Sequence, residues 1–166
     1  DIPQTALSAV DSLKDLKRCK YITVHANGGL EMLRAIKKKA KSINKDLKVE
    51  LFGQELNDVT YAICKSDFLM SDENPENIKG PLSSLSQDQF PDRKFDYMIS
   101  NPPFGVSWKS EEDFVKQEVK DSNGRFSIGT PRTSDGSLLF LQHLIHKMEP
   151  SGSRIGIVFN GSPLFA

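Results

Sequence analysis

Apolar residues along this chain recur with two different spacings, and the places where one spacing gives way to the other predict its elements. Leu7, Val10 and Leu13 (or Leu16) sit at helical intervals, which predicts a helix over 5–18. Tyr21-Ile22-Thr23-Val24 is short and β-branched and runs on to Asn27-Gly28-Gly29, a strand followed by a tight turn. Leu30, Leu33, Ile36, Ala40 and Ile43 then share one face of a long helix whose other face is rich in lysine. A second strand is predicted over 48–52, ending at Gly53, and Val59, Ala62, Ile63 and Cys64 mark another helix with Asp58 as its N-cap. Residues 71–93 are rich in Pro, Ser, Asn and Asp and read as irregular, with one short strand near Ile78. A strand over 94–100 ends abruptly at Asn101. Residues 105–134 are charged and poor in apolar positions, a connection of functional or mobile character. A helix over 137–148 turns Leu138, Leu141, Leu144 and Ile145 inward, and a strand over 154–159 follows.

Strands that alternate with helices pair in parallel through right-handed crossovers, so the predicted class is an open α/β sheet with helices on both faces. Ligands bind such sheets at the carboxyl ends of the strands, where strand order reverses. Three segments fall at such ends: 26–29, 53–57 and 101–104.

Composition narrows the options. The 166 residues suffice for one domain with a core, and the formal net charge is zero, so a basic surplus for gripping nucleic acid is missing. Any nucleic-acid role must rest on local patches or on a partner. Cys19 and Cys64 are far apart and read as reduced cytosolic thiols. No apolar stretch reaches membrane-spanning length. The start at Asp1 without an initiator methionine suggests an excised piece or a processed product. His143 and His146 could share a helix face as a metal pair, but no third ligand stands near, and capping or surface histidines are commoner. No serine–histidine–acid or cysteine–histidine arrangement stands out.

Asn101-Pro102-Pro103-Phe104 carries the sharpest chemistry. Two prolines fix φ and remove two backbone donors, and Pro102 pushes Asn101 out of the helical region. The result is a stiff strand-end turn presenting a carboxamide and bare carbonyls, acceptors suited to an exocyclic amine, with Phe104 as a ring for stacking. The plainer alternative is a proline-ended strand beside a core Phe. Glu55, just past the second strand, is placed to accept hydrogen bonds from ribose hydroxyls; its plainer alternative is a solvated loop glutamate. Asn27-Gly28-Gly29 permits close backbone approach to a ligand or, alternatively, a hairpin. Trp108 and Phe114 could touch a base or pin their loop to the body.

Phe95-Asp96-Tyr97-Met98-Ile99-Ser100-Asn101-Pro102-Pro103-Phe104-Gly105 resembles the catalytic segment of N6-adenine DNA methyltransferases, more narrowly that of the modification (M) subunit of type I restriction–modification systems. Leu51-Phe52-Gly53-Gln54-Glu55-Leu56-Asn57 and the stretches 135–143 and 157–165 carry the same resemblance in the same order. It implies a three-layer Rossmann-like class I S-adenosylmethionine-dependent methyltransferase fold, truncated after the fifth strand. Residues 1–166 would form a single core domain, with an N-terminal helix within 1–20 and a target or mobile loop over 105–134.

The implied reaction moves a methyl group from S-adenosylmethionine to the N6 amine of adenine in DNA. Asn101, Pro102, Pro103 and Phe104 would be catalytic, and Ala26, Asn27, Gly28, Gly29, Glu55 and Asn101 would hold the cofactor, with no metal. The implied partners are DNA, a specificity subunit that chooses the sequence and a restriction subunit, in the cytoplasm and away from membranes. The first family motif, Asp-Pro-x-x-Gly-Thr-Gly-Gly, falls on 22–29, where only Gly28 and Gly29 survive, and the acidic residue expected near Ser83-Ser84-Leu85 is missing. Those departures favour, as a second reading, a degenerate scaffold that binds a specificity subunit without turnover. A third is a protein-glutamine or RNA methyltransferase, although those usually carry Tyr where Phe104 stands.

Overall fold

The computed structural model describes residues 21–24, 35, 37–39, 41, 42, 45, 46 and 49–159, and among them five parallel strands form one sheet in the order β3-β2-β1-β4-β5. These are β1 (Tyr21–Val24), β2 (Glu50–Gln54), β3 (Ile78–Lys79), β4 (Tyr97–Ser100) and β5 (Arg154–Ile157). With them run α1 (Asp58–Met70), α2 (Glu112–Val119) and α3 (Ser137–His146), and the described residues among 35–42 are helical too. From β1 the chain steps outward through β2 to β3, then returns and steps the other way through β4 to β5. Right-handed crossovers in opposite directions put α1 on one face and α3 on the other, and the order reverses between β1 and β4. The predicted helix over 5–18 and the glycine turn at 27–29 lie outside the described residues.

The register sets the strand ends level. Thr23 pairs with Phe52 on one side and with Met98 on the other, and Val24 pairs with Ile99. β2 therefore delivers Glu55, and β4 delivers Asn101, to the same edge on either side of β1. Two strand spacings separate those edges, about 10 Å.

Local detail departs from expectation in several places. In α3 the expected inward residues Leu138 and Ile145 are exposed, because Leu139 instead packs with Trp108, Val115 and Phe126. Asn57 caps α1 in place of Asp58, its side chain accepting the Thr60 N–H at 2.9 Å. Val59 and Ile63 are exposed, and α1 buries Cys64, Asp67 and Phe68 against the sheet instead. The stretch 105–134 contains α2, whose one buried residue, Val115, joins Trp108, Phe126, Leu85 and Leu139 in a compact cluster. A second cluster of Phe52, Phe95, Met98 and Leu144 packs between the sheet and α3. Phe90 meets Phe52 and Phe95 edge-on at 5.8 and 6.2 Å between ring centres.

A buried polar network joins the two clusters. Arg125 places all five of its N–H groups: Nε on Glu118 at 2.8 Å, Nη1 on the Ser84 carbonyl at 2.6 Å and on His143 Nδ1 at 3.1 Å, and Nη2 on the Leu85 carbonyl at 2.8 Å and on Glu118. Lys147, almost fully buried, pairs with Asp88 and donates to the Phe90 carbonyl at 2.6 Å. Burial works against the Asp88 carboxylate, but the Lys147 ammonium and the Phe90 N–H outweigh it and hold its pKa below the usual value.

Burial drives His143 from 6.5 down to about 3; Asp88 opposes that shift, while the Arg125 and Lys147 cations reinforce it. The imidazole is therefore neutral and accepts from Arg125 at Nδ1. Below 6.5 the unfolded chain takes up a proton that the folded one refuses until about 3, so stability falls as pH drops through that window. The expected loss by pH 5 is about 2 kcal/mol, read by urea unfolding, and His143→Gln should remove most of that slope. An equally steep slope in the variant would assign it to other groups.

Candidate functional site

Each edge segment is held by its own local device. β2 runs into Glu55, whose backbone N–H donates to the Lys79 carbonyl and whose carbonyl accepts the Leu82 N–H, both at 3.0 Å. Gly80 permits this arrangement. Its φ is +154°, and a Cβ there would stand 2.4 Å from the Glu55 carbonyl oxygen and 3.0 Å from Tyr61 Cδ2. The Glu55 side chain is buried, and its Oε1 accepts the N–H groups of Leu56 and Asn57, each at 2.8 Å. Oε2 is buried with no partner among the described residues. Beside it the Leu56 side chain is exposed, an apolar face next to a carboxylate.

β4 runs straight into Asn101. Pro102 is fully buried and wedges the turn, Pro103 is exposed, and Phe104 keeps 38% of its surface in solvent. The Asn101 side-chain oxygen is buried and has no partner among the described residues. Gly105 reverses the chain at φ +62°. The segment then closes on itself: Gly136 N–H donates to the Val106 carbonyl at 3.2 Å and Trp108 N–H to the Thr133 carbonyl at 3.1 Å. Trp108 is buried and its indole N–H donates to the Arg132 carbonyl at 3.0 Å, so it pins the loop and cannot reach a base. Phe114 is half exposed. The Ser137 backbone N–H, and then that of Gly105, hold the Asp135 carboxyl below its usual range, tying the start of α3 to the turn.

Four buried side-chain polar atoms lack a partner among the described residues: Glu55 Oε2, Asn101 Oδ1, Ser71 Oγ and Gln142 Oε1. Native proteins leave few such atoms, since each costs about 1–3 kcal/mol. Two of the four are acceptors at neighbouring strand ends flanking β1, in the crevice where strand order reverses. The cavity between β4 and α3, lined by Gln54, Ser84, His143 and Lys147 among others, holds only about 60 Å³, whereas pockets for small organic ligands run to about 300 Å³ or more.

Glu55 and the Asn101–Phe104 turn lie at the same edge of the sheet on either side of β1, while Ala26, Asn27, Gly28 and Gly29 lie outside the described residues. No group of three metal-ligating side chains occurs among the described residues, and His143 faces Arg125. Gly80, Gln54 and Asp135 were missed. Gly80-Pro81 is a turn signal legible in the sequence, but nothing local shows that Glu55 would be its neighbour.

The family model for N-6 DNA methylases matches residues 3–166. The chain belongs to that family. It is 26% identical over 114 residues to the type I restriction enzyme HindI methylase subunit of Haemophilus influenzae, covering 69% of this chain and 24% of that protein. The chain spans 20% to 25% of the length of the curated relatives it matches. Among solved structures, the type I restriction-modification methyltransferase subunit of Streptococcus thermophilus superposes with a TM-score of 0.74 at 21% identity, covering 100% of this chain and 35% of that one. A Listeria monocytogenes protein assigned to the class I S-adenosylmethionine-dependent methyltransferases superposes at 0.70 with 13% identity, covering 100% of this chain and 47% of that one. The chain thus has the class I methyltransferase fold.

Gly80→Ala forces a Cβ against the Glu55 carbonyl and should cost about 2 kcal/mol or more in denaturant unfolding. Wild-type stability in that variant would mean that the Gly80 turn relaxes freely and does not fix Glu55.

Proposed function

We propose that the chain forms the catalytic core of an adenine-N6 DNA methyltransferase of the type I restriction–modification kind, using S-adenosylmethionine. The pair of buried, unpartnered acceptors at the ends of β2 and β4 carries this reading. Glu55 Oε2 suits a ribose hydroxyl, with its partner oxygen already anchored by two N–H groups, and Leu56 offers an apolar surface for a flat base. The residues present therefore fit the cofactor. When bound, S-adenosylmethionine supplies an electrophilic methyl group.

An aromatic amine is a poor nucleophile because its lone pair is delocalised into the ring. Asn101 Oδ1 and the Pro102 carbonyl each accept one N–H of the adenine amine, drawing the nitrogen toward tetrahedral geometry and freeing that lone pair. The oxygens are fixed before the base arrives, so little reorganisation accompanies the reaction. Phe104, partly exposed at the same turn, stacks the extruded base. Residues 105–134 form the target-side segment, with Phe114 on its outer surface, and 1–166 act as one core domain. Zero net charge fits a chain that relies on a specificity subunit to choose and grip DNA, with a restriction subunit completing the assembly in the cytoplasm. No helix among the described residues is long and apolar enough to cross a membrane.

Calorimetry and a methyl-transfer assay test this together. Glu55→Ala should weaken S-adenosylmethionine at least thirtyfold, as expected for losing about 2 kcal/mol of charge-assisted hydrogen bonding. Asn101→Ala should lower turnover by about a thousandfold while leaving cofactor affinity within roughly threefold. Equal turnover in Asn101→Ala, or no cofactor binding by the wild type at millimolar concentration, would overturn the assignment.

A further inference from the structure

We propose that Gln54 is a positioning residue for the Glu55 carboxylate, acting through the loop 80–89; the inference rests on Glu55 being the cofactor contact. Gln54 ends β2, one residue before Glu55, yet its side chain is spent on a distant part of the chain. Nε2 donates to the Leu82 carbonyl at 3.0 Å and to the Gln87 carbonyl at 2.7 Å, and Oε1 accepts the Gln89 N–H at 3.0 Å. Both amide hydrogens are therefore committed, and the group is not a ligand contact in waiting.

The loop it grips needs such a hold. Residues 80–89 contain turns but neither helix nor strand, so no ladder of backbone bonds fixes them. This loop forms the outer wall of the Glu55 site: the Leu82 N–H donates to the Glu55 carbonyl, and Gly80 packs directly on that oxygen. Leu82 thus has its carbonyl held by Gln54 and its N–H held by Glu55. The result is a closed circuit running from the β2 side chain to the loop and back to the next β2 residue. Arg125 grips the same loop from the far side through the Ser84 and Leu85 carbonyls. Without Gln54 the stretch nearest Glu55 keeps only the backbone bonds of Glu55 itself. The Glu55 carbonyl then loses its firmly held Leu82 partner, and the carboxylate, though its Oε1 keeps the Leu56 and Asn57 N–H groups, rides on a less firmly set strand end.

A residue that works only through Glu55 leaves a distinctive signature. In the intact chain, Gln54→Leu should weaken S-adenosylmethionine about tenfold by calorimetry, within the range expected for losing oriented hydrogen bonds, and leave turnover at saturating cofactor within about twofold. Gln54→Glu keeps the acceptor for Gln89 but turns a carboxylate oxygen toward two carbonyls. It should show the same weakening and serves as the second variant if the leucine variant fails to fold. Combined with Glu55→Gln, either change should add less than about twofold, because the group being positioned is already impaired. Losses that multiply in the double variant would overturn the proposal, as would unchanged affinity in a folded Gln54 variant. Loss of binding already in the wild type would instead remove the reading of Glu55, and the inference with it.

Discussion

One guanidinium, that of Arg125, ties together three separate parts of the chain. Arg125 is buried, and an arginine in that position is tolerable only if all of its donors find acceptors. They do, and the acceptors come from three separate parts of the chain: Glu118 in α2, the Ser84 and Leu85 carbonyls, and His143 in α3. The planar fork therefore welds the segment after the Asn-Pro-Pro-Phe turn to the loop that walls Glu55. A lysine offers three donors on a flexible stem and could not reach this set at once. The same geometry requires His143 to be neutral, which ties the integrity of the weld to protonation.

The site itself is built from two locally stiffened strand ends. At β2, stiffness comes from hydrogen bonds made by Glu55 to its own following residues and from the close approach of Gly80. At β4 it comes from covalent chemistry, two prolines in succession, and from the backbone bonds that fasten 105–108 to 132–136. The parallel register then sets both ends at one level on either side of β1. Among the described residues neither acceptor has a partner.

Much of this was legible in the sequence because its causes are local. Short β-branched runs marked the strands, and proline stereochemistry marked the turn at Asn101 without reference to anything else. Glu55 was placed by counting from the end of a strand. What escaped depends on partners remote in the chain. α2 has a single buried residue, and its packing partners Leu85, Trp108, Phe126 and Leu139 come from as far as 30 residues away. Of the residues that mark α1, Val59 and Ile63 are exposed, and Cys64, Asp67 and Phe68 are the buried positions. Arg125 and Gln54 bond chiefly to backbone carbonyls, which carry no side-chain signature at the accepting end.

The ring closure of Pro102 and Pro103 has a dynamic consequence. Backbone torsions fixed by covalent bonds do not depend on neighbouring contacts, so the bend persists when surrounding packing transiently loosens. Opening of the loop clusters would then release the outer parts of the crevice while the elbow keeps its shape. Reclosure becomes a docking of preformed parts, without a fresh conformational search at the atoms that matter most.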